Sequence, residues 1–424
     1  MPSTVYIRRV TNEELDTAAA PPARSRSQDR PSATQYLRTA LRAELRGSLG
    51  EALALFLSLR LALSLFALLA SFLFQLPPPC VWDNGPTLHA TGLDFRLIGV
   101  WQRWDACWYL KIATLGYQPG DASVVFFPLY PRLMRLFGLV LNHDFILGGL
   151  AVSAVAYIIA IVGLYRLVEF DFDEEIARRS VLYISIFPVA FFFFAPFTES
   201  VFLALTVWTI YVARRRRWEL VVIPAFFIGL TRTQGCLLSI PLAYEYFLQR
   251  RDRPGLKGGE RQPPRIAMLT SLLPPAGFAL FIVYSKLATG WTTFQAQQEW
   301  GLEIHPPWTV IETSWAHIRA QGDVIEALNL VLLLFSVVVL AVGVRRLPLS
   351  YTLYAAPQLL VVGSRLNFFS PLMATSRYVL VIFPIFVVLA LLGQGRRIHT
   401  AWLILSLLLF GFLLYAFLSG PFVA

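Results

Sequence analysis

Apolar runs of membrane-crossing length recur from residue 52 almost to the end of the chain, and a water-soluble core has no room for all of them. A helix needs about 20 predominantly apolar residues to cross roughly 30 Å of hydrocarbon. Such runs lie near 52–76, 145–168, 180–196, 199–213, 218–233, 235–248, 266–287, 325–343, 349–363, 375–392 and 401–419. They predict an all-α integral membrane protein of about eleven transmembrane helices. Of 424 residues, 56% are hydrophobic and 15% charged, and mean hydropathy is +0.60. A soluble domain with that balance would leave far too much apolar surface in water.

The formal net charge of +10 would by itself fit a nucleic-acid partner. The arginines gather instead in breaks between apolar runs, as the positive-inside rule requires, so no nucleic-acid partner is expected. Arg24, Arg26, Arg30, Arg38, Arg42 and Arg46 put the N-terminus in the cytoplasm. Arg214 to Arg217, the 250–265 loop, Arg345 with Arg346, and Arg396 with Arg397 mark later cytoplasmic turns. Counting crossings between these anchors makes residues 77–144 one large extracytoplasmic loop, with 126–141 lying along the membrane. Residues 289–323 form a second outer loop, and the C-terminus falls outside. Residues 1–45 read as a disordered basic cytoplasmic arm, ending in an amphipathic helix from Thr34 to Arg46, and 46–424 as one polytopic domain. The first apolar run starts too late and is too long for a cleavable signal peptide. The expected location is the plasma membrane of a prokaryote, spanned many times.

The outer loop 77–144 holds a stretch unlike its surroundings: Trp104-Asp105-Ala106-Cys107-Trp108-Tyr109-Leu110-Lys111-Ile112-Ala113, then Gly116-Tyr117 and Phe126-Phe127-Pro128-Leu129-Tyr130-Pro131. A carboxylate among aromatics at a membrane surface suits sugar chemistry, since the rings stack on pyranose faces and sit well at headgroup level. Asp105 would take a proton from an attacking hydroxyl within about 3 Å. Equally open is a plain aromatic belt, with Asp105 capping a short helix. Cys80 and Cys107 share this loop, as a disulfide or as unpaired thiols; Cys236 lies in a membrane run. His89, His143 and His305 show no metal-ligand spacing and read as surface residues.

These blocks resemble the first outer loop of the PIG-V type mannosyltransferases, the family of GPI mannosyltransferase II. Phe197-Thr198-Glu199-Ser200, Thr231-Arg232-Thr233-Gln234-Gly235 and Ser376-Arg377-Tyr378 ahead of Pro384 agree with it in order and spacing. The resemblance covers the chain from about residue 52 onward. It implies a GT-C glycosyltransferase fold whose first outer loop carries juxtamembrane helices and an acidic residue. It also implies a polyprenyl-phosphate-linked hexose donor, with mannose as the family's sugar, and inversion at the anomeric carbon. Asp105 becomes the catalytic base, and the acceptor an extracytoplasmic lipid or glycan. Many GT-C enzymes place two acidic residues side by side here, whereas Asp105 is followed by Ala106, as the PIG-V pattern tolerates. A lone carboxylate is a poor site for a divalent cation, so no metal or other cofactor is expected beyond the lipid-linked co-substrate.

Donor phosphate contacts are expected from Arg377, Arg232, Arg365, Lys111 and Tyr378, because a guanidinium offers phosphate a planar fork of donors. The 231–235 turn joins two short runs and is expected to line a cavity, where Arg232 needs an anionic partner. Each arginine would otherwise snorkel to the interface or pair with an acid such as Glu199. Trp104, Trp108, Tyr109, Glu199 and Gln234 are the expected acceptor contacts. Trp291, Trp300, Trp308 and Trp315, with Gln295, Gln297, Gln298 and Glu299, offer either a sugar-binding surface or an interfacial belt. The chief rival is a polytopic transporter or lipid flippase without glycosyl transfer. It would put ionisable groups deep in several helices, while these charges gather at the outer loops.

Overall fold

The computed structural model describes residues 33–80, 89–251 and 262–423, with side chains from residue 47 onward. The backbone is helical from Ala33, so the expected Thr34 to Arg46 helix falls on helical chain; residues 1–32 of the expected arm lie outside the described residues. So does most of the 250–265 loop.

The molecule is an all-α multi-pass membrane protein. Among the described residues, five helices are long and apolar enough to cross a bilayer: Gly47–Leu73, Phe145–Asp171, Arg265–Thr289, Val324–Gly343 and Arg396–Ser419. The remaining expected runs fold as shorter pieces, so the expected count of eleven is not reached by full-length helices. Prolines account for part of this, since each removes a backbone donor and crowds the preceding turn. Pro224 lies inside Trp218–Ile228, and Pro384 sits in the first turn of Phe383–Leu392, detached from Thr375–Leu380. The 235–248 run splits into a 3₁₀ segment, Thr233–Leu238, and the helix Ser239–Arg251.

Between the first two long helices lie the short helices Gly92–Leu97, Asp105–Leu115 and Leu129–Val140, as the resemblance implies for the first outer loop. Leu129–Val140, at 12 residues, is too short to cross unaided. It packs tightly on Phe145–Asp171: a Cβ on Gly148 would fall 2.6 Å from the Gly138 nitrogen, so only glycine lets the two backbones approach this closely. Tyr130 fixes the same junction, its hydroxyl bonding the Gly149 carbonyl at 2.9 Å and Ser153 Oγ at 2.8 Å.

His89 departs from the surface reading. Its ring lies between two carboxylates, Nδ1 on Asp94 and Nε2 2.6 Å from Asp144. Asp144 also caps Phe145–Asp171 by accepting from the Leu147 amide at 2.9 Å. The pair of acids thus draws the 77–144 loop onto a helix start.

After Glu174–Ser185 the backbone turns irregular, yet residues 183–204 are buried almost throughout. Irregular backbone at membrane depth must find its hydrogen bonds inside the protein. Here Arg60 Nη1 donates to the Phe194 carbonyl at 3.2 Å, Ser153 Oγ to Ala195 at 2.7 Å and Ser200 Oγ to Phe193 at 2.7 Å. Phe192 packs on Phe197 and Phe417 around them. The segment delivers Thr198 and Glu199 to the start of Glu199–Arg214 in a fixed position.

A two-stranded antiparallel ribbon, Leu302–Ile304 with Arg365–Asn367, ties two distant loops together, pairing Leu302 with Asn367 and Ile304 with Arg365.

Candidate active site

Helix Asp105–Leu115 begins on a strained residue. Trp104 has φ 52° and ψ −120°, a region that non-glycine residues rarely occupy and that clusters at functional sites. The chain before it is pinned down. Arg103, buried, donates to the carbonyls of Pro77 at 2.7 Å and Pro78 at 2.6 Å, and burial lowers its guanidinium to about 10. Of the two states left open for the loop cysteines, the disulfide is the one present, joining Cys80 to Cys107 with Cα atoms 6.1 Å apart. Asp105 is thereby held at the first position of the helix with its side chain 23% exposed.

Asp105 faces a cavity of about 400 Å³. Beside it stand Trp104, Trp108 and Tyr109 from the same loop, Thr198 from the buried turn, and Thr231, Arg232, Thr233 and Gln234 from the short segment expected to line a cavity. Gln297, Trp300 and Leu302 enter from the 289–323 segment, and Arg365, Asn367, Phe369, Arg377 and Tyr378 from the last third of the chain.

The charges form one connected group. Arg377 Nη1 donates to Asp105 Oδ2 at 2.7 Å, and its Nε to Glu199 Oε1 at 2.8 Å. The same Glu199 oxygen pairs with Arg232, whose Nε donates to Thr198 Oγ1 at 2.8 Å. Glu199 is completely buried beneath the cavity wall and does not line it. It belongs to the arginines, since a buried carboxylate is stable only when paired, and the expected acceptor contact is corrected accordingly. Arg365 has no acidic partner among the described residues; it lies over the Tyr378 ring, 4.4 Å from the centroid. Three guanidiniums against two carboxylates leave the group one formal positive charge in excess.

Several N–H donors around this space are buried without a partner: Arg365 Nε, Arg232 Nη1, Gln234 Nε2 and Trp104 Nε1. Buried donors in native proteins are almost always bonded. A cavity walled by unbonded donors suits a ligand rich in acceptor oxygens.

Lys111 is not part of the wall. Its ammonium is 2.7 Å from Asp121, which also caps the Ser123 amide, and it sits over the Trp108 ring at 5.0 Å. A lysine held by its own loop carboxylate has little to give a phosphate, so this expected donor contact is corrected. Arg377 is corrected in role, because its Nε and Nη1 are both occupied by carboxylates. Tyr109 is buried, and burial followed by the Asp105 charge pushes its phenol up, so it stays neutral beside the acid.

Sequence reading missed Trp300 as a wall residue distinct from the other outer-loop tryptophans, and missed Asn367, Phe369 and Phe422. Of that loop, Trp300 and Gln297 reach the cavity, while Trp308 and Trp315 are exposed. Phe422 packs edge-on against Trp104, ring centroids 5.0 Å apart. Nothing in its local sequence marks it, because the contact depends on how the last helix ends.

Residues 126–258 match the family described as dolichyl-phosphate-mannose-protein mannosyltransferase. This stretch includes Glu199, Arg232 and Gln234, while Asp105, Arg365 and Arg377 lie outside it. Over 153 residues the chain is 33% identical to GPI mannosyltransferase 2 of Cryptococcus neoformans var. neoformans serotype D, in two strains. The aligned part is 33% of this chain and 35% of the relative, so the chain spans about a third of the length of the curated proteins it matches. Two crystal structures of an Archaeoglobus fulgidus oligosaccharyltransferase align at a TM-score of 0.39 with 12% and 11% identity, over 74% and 85% of this chain and 48% and 55% of theirs. The chain is thus an all-α multi-pass membrane protein whose residues 126–258 are similar to the family described as dolichyl-phosphate-mannose-protein mannosyltransferase.

Proposed function

We propose that the chain is an inverting glycosyltransferase that moves a hexose, mannose by its similarities, from a polyprenyl-phosphate carrier to a hydroxyl of a lipid or glycan acceptor on the extracytoplasmic side. The observation that carries this reading is the union, in one cavity, of a partly exposed carboxylate with buried, unpartnered arginine donors. A sugar phosphodiester brings one negative charge, which the single excess positive charge of the group would neutralise.

Asp105 takes the proton of the acceptor hydroxyl as that oxygen attacks the anomeric carbon. The bond from that carbon to the phosphate oxygen breaks, and the lipid phosphate leaves with the electron pair toward Arg365 and Arg232. Arg377 orients Asp105 rather than gripping phosphate. Trp104, Trp108, Tyr109 and Gln234 hold the acceptor, the rings by stacking and the amide by donating to a hydroxyl. Most of the rate effect comes from positioning and from stabilising the charge that develops on the phosphate. Catalysis without a metal is part of the proposal: among the described residues Asp105 is the one carboxylate lining the cavity, and neighbouring guanidiniums repel a dication. Excess chelator should leave turnover intact.

The test is to incubate the purified protein with a synthetic polyprenyl-phosphate mannose and follow release of polyprenyl phosphate with and without acceptor lipids. Acceptor-dependent release supports the proposal. Movement of the intact lipid across a bilayer without release would favour a flippase instead.

A further inference from the structure

The strand that supplies Arg365 is followed by two phenylalanines that the protein leaves in the open. Phe368 is 85% exposed and Phe369 68%, and they pack edge-on, ring centroids 5.7 Å apart. Unlike the many leucines on the long apolar helices, they sit in a loop at the end of the two-stranded ribbon, and Phe369 also lines the cavity. The loop is held stiffly. The Phe368 amide donates to Gly301 at 2.9 Å, the Phe369 amide to Asn367 Oδ1 at 2.9 Å, and Asn367 Nδ2 to Trp300 at 3.0 Å. Gly301, at φ 69°, leaves room for this approach; a Cβ there would stand 3.0 Å from Phe368 Cβ.

One short strand therefore carries a cation that has no acidic partner among the described residues and, a few residues on, a rigid apolar rim at the cavity's edge. We infer that Phe368 and Phe369 form a ledge that receives the hydrocarbon chain of a lipid phosphate whose head group is taken by Arg365. This rests on the reading of the cavity as a lipid-phosphate site and adds the path of the chain: it leaves the cavity past Phe369 and lies over Phe368. A water-soluble sugar phosphate would leave the ledge empty, whereas each methylene moved from water onto it adds to affinity. The lipid's charge and its chain are thus matched by neighbouring features of a single loop.

The experiment measures binding, so it does not depend on turnover. Undecaprenyl phosphate and geranyl phosphate are titrated into the purified protein in the same detergent, with quenching of tryptophan fluorescence as readout. Wild type should bind the long chain at least about tenfold more tightly, and Phe368→Ser with Phe369→Ser should erase most of that ratio. Leu287→Ser, an exposed apolar residue on the long helix Arg265–Thr289, should keep the ratio. The ledge is overturned if wild type shows no chain-length preference, if the double variant retains it, or if Leu287→Ser loses it equally. Preserved binding with no release of polyprenyl phosphate from a sugar-loaded donor would instead count against glycosyl transfer and leave the ledge standing.

Discussion

Arg377 Nη1 meets Asp105 Oδ2 at 2.7 Å across 272 positions of sequence, and the same guanidinium holds Glu199 through its Nε. The start of helix Asp105–Leu115, a buried aromatic turn and a short segment near the end of the chain are thereby locked to one another.

Replacing Arg377 breaks both pairs. Arg377→Gln leaves Asp105 without its partner and Glu199 with Arg232 alone, and should destabilise the protein by about 3–5 kcal/mol. Turnover should fall on the order of 10²-fold as Asp105 loses its orientation. Arg377→Lys restores the charge but not the fork of donors, so it should recover part of the stability and little of the turnover. Thermal unfolding alongside initial rates checks this; a lysine variant with wild-type rates would show that orientation by Arg377 is unimportant.

Arg365 behaves differently because, among the described residues, no acid pairs with it. Arg365→Gln should leave thermal stability nearly unchanged and raise the donor KM by about 10–100-fold, the range for losing one charged hydrogen bond to phosphate. Equal donor KM in variant and wild type would remove Arg365 from the phosphate site.

The Cys80–Cys107 disulfide closes a loop with a sequence separation of 27 and anchors the turn that aims Asp105. On the chain-entropy view, such a link contributes about 3–4 kcal/mol. Dithiothreitol should therefore lower the unfolding temperature and turnover of wild type, and should do nothing further to a Cys80→Ser, Cys107→Ser variant. Identical unfolding curves for wild type and variant without reductant would contradict a structural role.

Much of this was legible in the sequence, for physical reasons. Membrane-length apolar runs announce an all-α membrane fold because hydrocarbon imposes length and composition. Asp105 and Arg232 stood out because charge beside membrane runs is costly without a purpose. The pairing of Arg377 with Asp105 and Glu199 was not legible, since contacts between distant segments leave no local pattern. The ribbon of Leu302–Ile304 with Arg365–Asn367 escaped notice because three-residue strands carry too little periodicity to register. Lys111 misled because sequence proximity to Asp105 gave no sign that Asp121 would hold it.

The central claim is that Asp105 removes the acceptor proton, and Asp105→Asn tests it most directly. The amide keeps the side-chain shape, and Arg377 retains Glu199, so fold and donor affinity should change little. The amide cannot accept the proton, so acceptor-dependent release of polyprenyl phosphate should fall by roughly 10²–10⁴-fold. Release at a near-normal rate from a folded Asp105→Asn protein would contradict the assignment.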